Sequence, residues 1–185
     1  MRTKQLHLPK LALLAVACTV VLPAAAQALR PAGFFVQVGA ADFGALDASV
    51  GLTWPWMWKS SLLGTEVGGH TEGYIAHWDG RSHAGRRGFT QVGLVPVFRF
   101  RLDQGRSPWF GEAGVGVSLT DQLFVSEVKQ FTTTFNFVDV VGIGLSFGAD
   151  RRQEIGLRLQ HVSNAGIRVP NPGQNFAQLR YAARF

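Results

Sequence analysis

A chain of 185 residues with a single cysteine and a formal charge of +6 has room for one domain and excludes a disulfide-built scaffold. Residues 1–28 carry three cations and no acid, so the remaining 157 residues have a charge of only +3. Their arginines are scattered and form no basic helix, which argues against a nucleic-acid partner.

The chain opens with Arg2, Lys4 and Lys10, an apolar run from Leu11 to Val21, and Ala26-Gln27-Ala28. A basic start, a short apolar centre and a small-x-small site are the three parts of a secretory signal, so residues 1–28 are expected to be removed. Cys18 leaves with them. The mature chain, 29–185, contains no second apolar run long enough to span a membrane as a helix.

Glycine is abundant, aromatics are frequent and helical periodicity is hard to find, which favours an all-β protein. Eight strands are predicted, at 33–41, 47–57, 61–77, 88–102, 108–120, 132–148, 153–163 and 175–185. The third, which is long, has room for a bend at Gly68-Gly69. In the sixth, Phe135, Phe137, Val141, Ile143, Leu145 and Phe147 share one face.

The connections alternate between short turns, such as Lys59-Ser60 and Asp103–Ser107, and mostly longer loops near 78–87, 121–131 and 164–174. An even-stranded membrane barrel has that alternation, although a soluble barrel can share it. The last strand is more specific: Ala177, Leu179, Tyr181, Ala183 and the terminal Phe185 alternate, as in the final strand of outer-membrane barrels. The fold expected is an eight-stranded antiparallel transmembrane β-barrel, closed so that no edge is left unpaired and filled by side chains. Trp54, Trp56, Trp58, Trp78 and Trp109 are expected to form interfacial girdles.

With both termini in the periplasm, the seventh strand runs outward and ends outside the cell. Its apolar stripe is Ile155, Leu157 and Leu159, continued on the same face by His161 and Ser163. A base and a nucleophile would thus stand beside the acyl chains of the outer leaflet. The plainer alternative is a polar strand end entering a turn, with Ser163–Gly166 as turn residues.

His161-Val162-Ser163-Asn164-Ala165-Gly166, followed by Pro170-Asn171-Pro172-Gly173 and a terminal strand, resembles the outer-membrane lipid A 3-O-deacylase (PagL-like) family. The resemblance implies a serine esterase that removes the acyl chain at position 3 of lipid A in lipopolysaccharide. Ser163 would be the nucleophile and His161 the general base, with Asn164 and the backbone near Gly166 as oxyanion donors. It implies no metal or organic cofactor, and it implies a homodimer. The family places a glutamate fourteen residues after the histidine, where this chain has Asn175. Asn175 can orient the imidazole but supplies no charge.

Asp139 is an alternative orienter, because a turn centred near Asp150 sets it opposite His161. His77, His83, Arg81, Arg86 and Arg87 flank a loop that reads as solvated, or as an arginine site for lipid A phosphates. A non-catalytic adhesin or structural barrel, a lipid A acyltransferase and a periplasmic ligand-binding barrel are the other readings.

Overall fold

A computed structural model describes residues 30–185, apart from Ala84. The expected signal segment lies outside the described residues. The strands are β1 (Gly33–Ala41), β2 (Leu46–Pro55), β3 (Ser60–Leu62), β4 (Thr65–Ser82), β5 (Gly85–Arg101), β6 (Trp109–Thr120), β7 (Phe135–Phe147), β8 (Gln153–Ser163) and β9 (Gln174–Arg184). All pairings are antiparallel. β1 pairs with β9, and β2 pairs with β4 to close the cylinder. Eight strands form the wall; β3 is a three-residue arm folded back on the start of β4.

The alternation seen in the sequence becomes two surfaces. Val38, Val50, Ile75, Leu94, Val115, Ile143, Leu157 and Leu179 all lie outward and exposed. Such a surface suits hydrocarbon, and it is the apolar band of a barrel that spans a bilayer. One end of the cylinder, here called proximal, holds the start of β1 and the finish of β9. The other end is distal.

The interior is filled. Its middle is polar: Glu72 accepts from Arg158 at 2.7 and 3.0 Å, from Arg180 at 2.8 Å, and lies 2.8 Å from His70 Nε2. Glu112 pairs with Arg158 and with Arg99, and Arg99 continues to Glu154 at 2.7 Å. Nearer the distal end Trp78, Phe89, Phe124, Phe131 and Phe176 pack ring on ring, with centroids 4.9–5.7 Å apart.

Four expectations change. In place of a short turn at Lys59-Ser60 leading into a strand at 61–77, the chain makes the β3 arm, turns at Leu63-Gly64 and enters β4 at Thr65. The loop near 78–87 is mostly strand, because β4 and β5 pair out to Ser82 and Gly85. Arg86 clamps that extension through Asp79 at 2.6 Å, so it is held by the chain's own acid. Trp78 is fully buried in the distal plug, since its place in β4 puts it on the inward row with Tyr74 and Ala76. Among the other tryptophans, Trp56 packs over Gly69, where an added Cβ would stand 2.3 Å from the ring. Finally, β7 begins at Phe135 rather than residue 132.

Candidate active site

β8 delivers its polar pair to the distal rim. By strand parity His161 and Ser163 follow Ile155, Leu157 and Leu159 on the outward row; His161 is partly exposed, Ser163 is covered at the rim, and Val162 between them is fully buried inside. On one side His161 faces Asp139 of β7, and on the other it faces Asn175 of β9. Ser163 faces Phe137. Three polar residues therefore cross the wall in one row, directly above an apolar surface.

The imidazole takes the β9 partner. Nδ1 lies 2.6 Å from Asn175 Oδ1. An amide oxygen only accepts, so Nδ1 carries the hydrogen and Nε2 presents its lone pair. Asp139 is in register with His161, yet no hydrogen bond joins them among the described residues. Gln174 turns inward and donates to Asp42 at 3.2 Å, which leaves Asn175 as the outward group.

After Ser163 the backbone curls through Ala165 (φ +52°) and Gly166 (φ +79°). The Ala165 N–H points back at Ser163 Oγ, 3.5 Å away. Asn164 is buried and committed to the loop. Its amide donates to Arg168 O at 2.8 Å and Thr132 Oγ1 at 3.2 Å, and its Oδ1 accepts from Gly166 N at 2.9 Å. Its own N–H goes to Asn171 Oδ1 at 3.1 Å. Asn164 and the Gly166 N–H, both expected as oxyanion donors, are thus engaged in shaping the turn. Ala165 N–H has the longest and weakest of these contacts.

A groove starts at this row. A hollow of about 510 Å³ is lined by Ala40, Ala41, Leu159, His161, Asn175 and Ala177, among others. It adjoins one of about 480 Å³ lined by Val141, Ile143, Leu157, Leu159, Ala177 and Leu179. Val141, Leu159 and Ala177 belong to both. The pair runs along the outer wall from the imidazole toward the proximal end; its surface is mostly apolar, with Asp42, Asp139, His161 and Asn175 gathered in the hollow at the distal end.

The family described as Lipid A 3-O-deacylase (PagL) matches residues 45–184. The chain belongs to the PagL family. It is 32% identical to the lipid A deacylase PagL of Pseudomonas aeruginosa over 78% of this chain and 81% of that one. It is 35% identical to the lipid A deacylase PagL of Bordetella bronchiseptica over 51% of this chain and 50% of that one. The crystal structure of the outer membrane enzyme PagL superposes with a TM-score of 0.72 at 27% identity, over 83% of this chain and all of the other. Neisserial surface protein A shares the fold alone, at 8% identity and a TM-score of 0.50 over 83% of this chain and 94% of its own.

Within the PagL resemblance, Asn175 is the departure, and the structure shows that it keeps the geometry of a histidine partner without the charge. Two residues of this PagL-family site had no role in the sequence reading. Gly173 lies against the imidazole, where a Cβ would come within 2.7 Å of His161 Cε1. Only glycine permits both that approach and its φ of +62°. Thr132, just before β7, reaches across to the 164–173 loop. Thr132 lies outside β7, which begins at Phe135, while Thr134 O still accepts from Thr120 N of β6 at 2.9 Å.

Proposed function

We propose that this protein is a lipid A 3-O-deacylase of the outer membrane, with its site in the outer leaflet. The reading is carried by the oriented imidazole of His161, two residues from Ser163 at the head of an apolar groove on the lipid-facing wall. Membership of the PagL family supports it.

Ser163 Oγ attacks the carbonyl carbon of the 3-O-acyl ester while His161 Nε2 takes its proton. The tetrahedral oxyanion forms beside the Ala165 N–H, assisted by the neighbouring loop amides when substrate displaces their internal partners. Its collapse breaks the bond to the sugar oxygen, which takes the proton from His161. Water, deprotonated by the same nitrogen, then attacks the acyl-serine and releases the fatty acid. The Ser163–His161 hydrogen bond is not formed in this structure among the described residues; such bonds tighten when substrate is bound. The acyl chain lies along Leu159, Ala177 and Val141, where it remains in hydrocarbon throughout.

Mass spectrometry of lipid A from cells with and without the protein tests the function. Loss of one ester-linked acyl chain is expected; gain of a chain would instead make the protein an acyltransferase. The groove is tested by Ala177→Trp, which fills the part shared by both hollows. It is expected to lower kcat/KM by about tenfold, mainly through KM, in a detergent assay on short- and long-chain substrates. Asn175→Asp puts a carboxylate where the amide oxygen is, able to stabilise an imidazolium. It is expected to raise kcat at least about tenfold, since the opposite change in serine triads costs ~10⁴-fold. Asn175→Ala is expected to lower kcat, whereas Asp139→Ala leaves the imidazole's partner in place and should lower it less. A homodimer, as the family resemblance implies, would show in sedimentation of the detergent-solubilised protein.

A further inference from the structure

The connection 121–134 closes the distal mouth of the barrel. Phe124 and Phe131 insert into the aromatic plug, with ring centroids 5.3 Å apart. Their backbones are joined by a 2.8 Å hydrogen bond, and Val125 bridges Gln130, so the segment is a small folded hairpin. Glu127 N–H bonds to Arg81 O on the β4 extension at 3.0 Å. Lys129 Nζ holds both carboxylate oxygens of Asp42, at 2.9 and 3.0 Å. The hairpin is thereby fixed to the wall at several independent points.

From this anchored base Thr132 extends to the loop behind the nucleophile. Its hydroxyl accepts from Asn164 Nδ2 at 3.2 Å. It lies 3.2 Å from Arg168 O and 3.1 Å from Pro170 O, and its single hydrogen serves one of the two. These partners span the loop: Asn164 at its start, Arg168 and Pro170 on its return. Asn164 in turn holds Gly166 N–H. The Ala165 N–H beside Ser163 sits between two residues whose positions follow from that one side-chain amide.

We infer that Thr132 is a positioning residue for the deacylation reaction. It ties the 121–134 hairpin to the 164–173 loop and so keeps the Ala165 N–H beside Ser163, where the oxyanion forms. The inference rests on the assignment of Ser163 as nucleophile. Thr132 touches neither the acyl groove nor the imidazole, so its effect belongs to the transition state rather than to substrate binding. The same hairpin also reaches the other side of the site. Asp42, clasped by Lys129, accepts from Gln174, the residue before Asn175.

The test is steady-state deacylation of lipid A by refolded protein in detergent, with the folded fraction read from heat-modifiable gel mobility. Thr132→Val keeps the shape and removes the hydroxyl; kcat per folded barrel is expected to fall about tenfold with KM within about twofold. Thr132→Ala, which makes no steric demand, is expected to fall equally. Thr132→Ser, which restores the hydroxyl, is expected to return to within about threefold of the parent. The inference is overturned if Val and Ala retain the parent kcat, if Ser is as impaired as Val, or if the whole loss lies in KM. Ser163→Ala is run alongside. Its inactivity, with an unaltered Thr132→Val, would reject the role of Thr132 alone; full activity of Ser163→Ala would reject the site itself.

Discussion

Ser163→Ala is expected to abolish lipid A deacylation while leaving the barrel folded. Removal of a serine nucleophile costs on the order of 10³- to 10⁶-fold in turnover. The fold has little at stake there. Ser163 ends β8, and its hydroxyl receives only the 3.5 Å contact from Ala165 N–H. Losing so weak a hydrogen bond costs about 1 kcal/mol or less. His161→Ala is expected to give a comparable loss, and the double variant little more, because nucleophile and base act as a unit. Fatty-acid release in a single-turnover assay, normalised to folded protein, measures all three. Substantial release by Ser163→Ala would move the chemistry to another residue or remove it from this protein.

Much of this site was legible because a β-strand has so simple a period. Ile155, Leu157, Leu159 and His161 alternate with Arg158, Gln160 and Val162, and in the structure these rows are the outer and inner faces; Ser163 continues the outer row by parity but is covered where the strand meets the loop. Register followed from one short turn, and Asp139 does pair with His161. Register is not contact, however. The imidazole has a neighbour on each side and bonds to Asn175, a choice that depends on side-chain reach rather than strand position. What stayed hidden depends on loops. Gly173 matters because a φ of +62° brings backbone against the ring, and Thr132 because a hairpin 32 residues before Asn164 folds toward it. Neither relation has a period. Trp78 shows the complementary error: residue type suggested an interfacial ring, whereas its strand parity sends it inside.

Glu72→Gln is expected to destabilise the barrel by about 3–5 kcal/mol, the cost of breaking a buried ion pair by deleting one partner. Glu72 is 1% exposed and faces Arg158, Arg180 and His70 at once. The amide keeps the size of the carboxylate but holds no charge, so Arg180 loses its 2.8 Å anion and retains Gln37 at 3.2 Å and the face of Phe35. Arg158 keeps Glu112, which it already shares with Arg99, and loses its second carboxylate. Lys59→Gln supplies the contrast. It breaks the Lys59–Glu66 pair, which is 3.1 Å long but with side chains 65% and 32% exposed. Water and salt screen that pair, so its loss should cost less than about 1 kcal/mol. Urea unfolding of the two variants in the same detergent, followed by tryptophan fluorescence and gel mobility, measures the difference. Glu72 and Arg158 lie 86 residues apart in sequence and meet only once the cylinder has closed. The penalty should therefore appear in global unfolding rather than in local fraying of β4. Equal midpoints for the two variants would mean that water reaches the lumen and screens its charges as it does at the surface.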